Sequence, residues 1–299
     1  MRIARRARSE RELRVMVRPA IIFVLLFSIF PLIYSVWVSV HNFNAVSPNR
    51  SFVGLRNYTD VLTDPLFIQS AKFTLIFVLV VVPIQTMLGL GIAILIERDP
   101  RLRRLALPVF MVPLVILPIT VAFVWKQLWN APYGVVNQFL STITGQAIDI
   151  DWVGSPGTAF IAIAVTEIWQ WTPFMILVLL AARVGIPREL REAAEIDASS
   201  AWLRFRSIIF PAILPVLTVA LAIRIIDSAN LFSTIYGVTA GRPGNTTYSI
   251  VYYIQQLSSF GDQGRASAAA LLFLVALVVL VILGTLRAIS RQSAISEKS

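Results

Sequence analysis

Six long apolar blocks run along this chain, and short polar, arginine-bearing segments separate them. The blocks are Val17–Val40, Phe73–Ile96, Leu105–Leu128, Thr158–Ala181, Ile208–Tyr236 and Ala268–Ile289. Each meets the roughly 20 apolar residues that a helix needs to cross about 30 Å of hydrocarbon. No water is available in that layer to satisfy open backbone groups, so every block is expected to be helical. The pattern predicts an all-α polytopic membrane protein with six transmembrane helices. Tyr133–Ile143 reads as a short surface helix in an outer connection. No internal repeat or domain boundary interrupts the region 17–289, and 1–18 and 290–299 read as end segments.

Composition agrees, with 57% apolar and 14% charged residues among 299. The net charge of +10 raises nucleic-acid binding as a possibility, but the placement of the charge argues against it. Arg2, Arg5, Arg6, Arg8, Arg11, Arg14 and Arg18 precede the first block, and Arg98, Arg101, Arg103 and Arg104 join the second to the third. Arg183, Arg188, Arg191, Arg204 and Arg206 flank the fourth connection, and Arg287, Arg291 and Lys298 follow the last block. The opposite connections carry only Arg50, Arg56, Lys72, Arg242 and Arg265. By the positive-inside rule both termini and the fourth connection lie in the cytoplasm. The expected setting is a lipid membrane that the chain crosses several times, without nucleic acid.

Several chemistries drop out early. The chain has no cysteine and one histidine, His41, so a zinc site is not expected. A phosphate-binding loop needs a lysine directly after glycine, whereas Lys72, Lys126 and Lys298 follow Ala71, Trp125 and Glu297. No nucleotide hydrolysis is expected of this polypeptide, and no cofactor. The first block is too long for a cleaved signal peptide, and no small-x-small site follows it.

The fourth connection, 186–211, is unusual for a loop between spans because it reads as structured helix. Pro187 suits a first helical turn. Leu190, Ala193 and Ala194 share one face, while Arg188 with Glu192 and Arg191 with Glu195 are placed as i,i+4 ion pairs on the other. Helices that lie on lipid headgroups carry large apolar residues against a basic face. This one is alanine-faced and carries Glu189, Glu192, Glu195 and Asp197, which suits docking into another protein.

Glu192-Ala193-Ala194 with the closing Pro211 resembles the EAA loop in the membrane subunits of binding-protein-dependent ABC importers. Trp169-Gln170-Trp171-Thr172-Pro173-Phe174 is similar to the WQxTPF stretch of sugar-type permeases, and Gly54-Leu55-Arg56-Asn57-Tyr58 to their GLxNY segment. Trp125–Trp129 with Tyr133–Asn137, and Tyr236, Thr239, Gly241, Pro243 and Thr247 with Tyr252-Tyr253-Ile254, resemble further segments of the same family. The resemblance covers about 17–289. It implies a type I ABC importer permease of the maltose and glycerol-3-phosphate kind, in which Leu190, Glu192, Ala193, Ala194, Asp197, Ala198 and Pro211 receive force from an ATPase. The chain departs from the family pattern in having Ala198 in place of glycine and Phe210 in place of leucine. The implied partners are a second permease, two ATPase subunits that use ATP and Mg, an extracytoplasmic solute-binding protein and a carbohydrate.

Polar residues within the blocks are costly in lipid and mark cavities or pairs. Glu167 on the fourth block, and Arg224 and Asp227 on the fifth, form either a charge cluster or part of a solute path. Trp169, Trp171 and Asn230 are further candidates for that path, through stacking and hydrogen bonding. Two other readings stay open at this point. One is a secondary transporter driven by an ion gradient, coupled through Glu167, Asp227 and Arg224; the other is an ABC permease for amino acids or peptides.

Overall fold

A computed structural model describes residues 2–45, 49–187, 189–190 and 200–296. Helices occupy the apolar blocks and parts of the connections: α1 Arg2–Ser39, α2 Arg56–Thr63, α3 Pro65–Glu97, α4 Pro100–Val115, α5 Pro118–Leu128, α6 Val135–Thr144 and α7 Pro156–Val184. These are followed by α8 Ala201–Arg204, a π-helical turn Phe205–Ile209, α9 Phe210–Ala229, α10 Ser233–Val238, α11 Ile250–Ser259 and α12 Gln263–Ser296. Among the described residues five helices are long and apolar enough to cross a membrane, or six if α4 and α5 form one broken span.

Local chemistry sets the helix starts. The Asp99 carboxylate accepts from the Arg101 N–H at 2.8 Å and opens α4, and Ser155 caps α7 in the same way through Thr158. Proline stands in the first turn of α4, α5, α7 and α9, where its missing N–H costs nothing. Pro211 follows the π turn, in which the Phe210 N–H reaches back to the Phe205 carbonyl. That wider turn accommodates a residue unable to donate.

Two spans differ from the pattern read in sequence. The third is broken between α4 and α5 with a bend of 97°. Ile116 and Leu117 there are extended, with ψ of 134° at both. The residue before proline avoids the helical region, so Leu117-Pro118 ends one helix and starts another. The fifth block, read as running to Tyr236, stops at Ala229. Asn230 ends the helix, donating through Nδ2 to the Ile226 carbonyl at 2.9 Å, and α10 restarts at Ser233.

The chain divides into two compact units, a division the sequence pattern does not mark. One comprises Met1–Asp64 with Ile254–Leu274, the other Pro65–Tyr253 with Val275–Ser299. In the first, the GLxNY-like segment finishes α1. Asn57 Nδ2 donates to the carbonyls of Ser39 at 2.8 Å and His41 at 2.9 Å, and Tyr58 Oη pairs with Ser39 Oγ at 2.7 Å. These bonds satisfy carbonyls that a helix end leaves open. Gly264 has to be glycine here, because a Cβ would fall 2.8 Å from the His41 carbonyl oxygen.

The second unit is built on α3 against α7. Phe73, Phe77 and Val81 pack with Ile163, Ile235 and Tyr252 toward one end. Ala93, Ile96, Met175, Leu179 and Leu217 pack toward the other. A third cluster, Ala122, Trp129, Trp152, Ala162 and Val238, joins α5, α7 and α10. Large apolar side chains such as Leu79, Met87 and Val109 stay exposed, as expected of surfaces that meet lipid or further membrane subunits rather than water.

Candidate translocation and coupling sites

Between the two packed ends of the second unit, α3, α7 and α9 contribute polar side chains to a closed cluster. Arg224 is 0% exposed and Glu167 3%, and they form an ion pair with Nη2 to Oε1 at 3.2 Å. Arg224 Nε donates to Gln85 Oε1 at 3.1 Å and Nη2 to Ser228 Oγ at 2.9 Å. Gln85 Nε2 donates in turn to the Glu167 carbonyl at 3.0 Å, and Thr234 Oγ1 to Glu167 Oε2 at 3.2 Å. A buried charge pair is tolerated better as more of its donors and acceptors are occupied; here Gln85, Ser228 and Thr234 serve Nε, Nη2 and Oε2, while Nη1 has no hydrogen-bond partner among the described residues. Arg224 also lies 4.7 Å above the Trp171 ring, a cation–π arrangement. Asp227 Oδ2 stands 3.5 Å from Arg224 Nη1, with its side chain 45% exposed. Asp227 is thus the outward-facing member of the cluster.

Glu167, Arg224, Asp227 and Trp171 therefore come together. Trp169 and Asn230 do not join them. Trp169 turns to an edge contact with Trp125 at 5.6 Å, and Asn230 is exposed at the end of α9. Gln85, Ser228 and Thr234 escaped the sequence reading. Gln85 carried a signal, as the single carboxamide in the apolar run 73–96. Ser228 and Thr234 carried none, because small hydroxyls are common in membrane helices.

Part of the coupling segment can be located. Leu190 is 49% exposed and Pro211 stands in the first turn of α9; Glu192, Ala193, Ala194, Asp197 and Ala198 lie outside the described residues. Both described flanks of that segment border a cavity of about 930 Å³, lined by Met87, Ile94, Arg98, Leu190, Trp202 and Arg204 among others. At its charged end Arg183 Nε donates to Glu97 Oε2 at 2.6 Å, tying the end of α7 to the end of α3. Among the described residues no group of His, Cys, Asp or Glu is arranged to hold a metal ion.

Residues 85–293 match the family model described as binding-protein-dependent transport system inner membrane component. The chain is 38% identical over 261 residues to the trehalose/maltose transport system permease protein MalF of Thermococcus litoralis, covering 87% of this chain and 88% of that one. It is 31% identical over 270 residues to the trehalose transport system permease protein SugA of Mycobacterium tuberculosis, covering 88% and 84%. Its fold superposes on a chain of a bacterial ABC transporter involved in the import of alginate with a TM-score of 0.80 and 23% identity, covering 96% of this chain and 98% of that one. With a family match across 209 of 299 residues (85 to 293 inclusive), the chain is a multi-pass inner-membrane transport permease and belongs to the family of binding-protein-dependent transport system inner membrane components.

Proposed function

We propose that this chain is one of two related permease subunits in an ATP-driven importer of carbohydrate. A separate extracytoplasmic protein delivers the solute, and two ATPase subunits power its passage. The observation that carries this reading is the 38% identity to a trehalose/maltose permease, maintained over 87% of the chain. Relatives named for sulfoquinovosyl glycerol and for trehalose support carbohydrate over amino acids or peptides. The chain itself hydrolyses no nucleotide and holds no cofactor; ATP and Mg belong to the ATPases.

In this reading 17–289 is a single translocating domain, and the segment 186–211 is the ATPase contact. Leu190, Ala193 and Ala194 plug a groove in the ATPase, with Glu192 on the opposite face, Asp197 following the docking face, and Ala198 and Pro211 setting the return of the chain into the membrane. The Glu167–Arg224 pair ties α7 to α9. The partly exposed Asp227, Trp169 and Asn230 are available to a passing sugar, whose hydroxyls need polar partners and whose apolar ring faces suit aromatic surfaces. Trp171 supports the arginine from below.

Reconstitution decides the matter. The complete assembly in proteoliposomes without an ion gradient should accumulate a di- or oligosaccharide when ATP is supplied on the side bearing 186–211. Uptake that persists without ATP and collapses with an ionophore would overturn the assignment.

A further inference from the structure

One buried group in the second unit is only half used. Gln170 on α7 is 1% exposed. Its Nε2 donates to the Ile116 carbonyl at 3.4 Å, while its Oε1 has no hydrogen-bond partner among the described residues. Leaving a buried acceptor unpaired is costly, and such a group in a folded protein asks for a reason.

The break beside it offers one. Ile116 ends α4 with a carbonyl that continues into no helix, and α5 begins at Pro118. The first turn of a helix leaves N–H groups without intrahelical partners. Pro118 has none to offer, and the Val121 N–H is taken by the Leu117 carbonyl at 3.1 Å, which leaves Ile119 and Thr120 as the open donors. The break thus holds one acceptor that Gln170 uses and, in the turn that follows, two open donors, while the carboxamide keeps an unused acceptor in Oε1.

The two halves of the broken span also pack differently. α4 lies chiefly on α7 and α3, and α5 chiefly on α10. Gly237 of α10 approaches Ala122 so closely that a Cβ would fall 2.4 Å from the alanine Cβ. At its far end α5 is held to α7 by Trp129 Nε1 donating to Thr166 Oγ1 at 3.1 Å. α7 therefore holds the far end of α5 through the Trp129 indole and the end of α4, at the break, through the half-used Gln170.

We infer that Gln170 is a two-position latch on the break of the third span. In the arrangement described here it donates to Ile116 O. In the alternate access state α5 pivots about Trp129, and Gln170 Oε1 accepts from a first-turn N–H of α5 instead. Each state uses one atom of the carboxamide, so exchange between them costs little. The inference rests on the transport reading above for the existence of two access states.

The chain lacks cysteine, so spin labels can be placed at Val112→Cys on α4 and Val124→Cys on α5, both exposed. The distance between them is read in the purified assembly, with cysteine-free partners, at rest and with ATP trapped and no solute present. A wrong solute assignment therefore leaves the measurement intact. The parent should show two distance populations that exchange on ATP binding. Gln170→Leu, which can neither donate nor accept, should broaden both populations and lower transport per ATP hydrolysed. Gln170→Glu accepts without donating once ionised, so at a pH high enough to ionise it the resting ratio should shift about tenfold toward the ATP-bound distance, as loss of one hydrogen bond to one state predicts. A single distance in both nucleotide states overturns the latch. So do variants that only lower thermal stability while keeping the parental distances and coupling ratio.

Discussion

Arg224 meets Glu167 with neither side chain open to solvent, and Gln85 touches both: its Oε1 takes the Arg224 Nε and its Nε2 reaches the Glu167 carbonyl. Removing one charge strands the other in a low-dielectric interior, at a typical cost of about 3–5 kcal/mol. Arg224→Met alone should therefore destabilise the purified assembly more than Arg224→Met combined with Glu167→Gln. Thermal unfolding of both variants tests this. Asp227→Asn, on the exposed rim, should cost well under half as much as Arg224→Met, and strictly additive losses across the set would count against a compensated pair.

Gly89 on α3 faces Met175 on α7 at a contact where a Cβ would sit 2.5 Å from the methionine Cβ and 3.1 Å from its carbonyl carbon. Neither neighbour is the free end of a flexible side chain, so the helices themselves have to part. Overpacking of this kind costs about 1–3 kcal/mol. Gly89→Ala should lower the melting temperature and the yield of folded protein. Gly91→Ala should change neither, because nothing lies within 4 Å of a Cβ there.

In the first unit Asn57 holds two carbonyls at the end of α1. Asn57→Ala leaves them without that donor, at about 1–3 kcal/mol for the buried one. Asn57→Asp also fails, since a carboxylate cannot donate to a carbonyl. The expected signature is faster proteolysis or hydrogen exchange around 39–45, with the second unit unaffected. Equal protection in both variants would remove the capping role.

Coupling is tested at Ala193. Replacement by tryptophan should overfill a tight protein groove, again at about 1–3 kcal/mol or more. Membrane insertion should be normal, while transport and binding-protein-stimulated ATP hydrolysis are lost. Normal values for both would exclude docking through this face.

Much of this protein could be read from its chain. Lipid imposes one secondary structure on any long apolar block, so the helical class follows from 17–40, 73–96 and their counterparts without tertiary information. The polar faces of α7 and α9 were equally visible, because Glu167 and Arg224 stand out against apolar neighbours. What stayed hidden depends on proximity between distant positions. Gln85 lies 82 residues from Glu167 and 139 from Arg224, and no local pattern announces such a meeting. The broken span shows the same limit. Pro108, Pro113 and Pro118 look alike in sequence, yet the first two sit inside α4 and only the third opens a new helix. A proline removes one donor wherever it stands, but whether the helix bends around the loss or breaks depends on what its two halves pack against. α4 rests on α7 and α3, α5 on α10, and only the tertiary structure decides that.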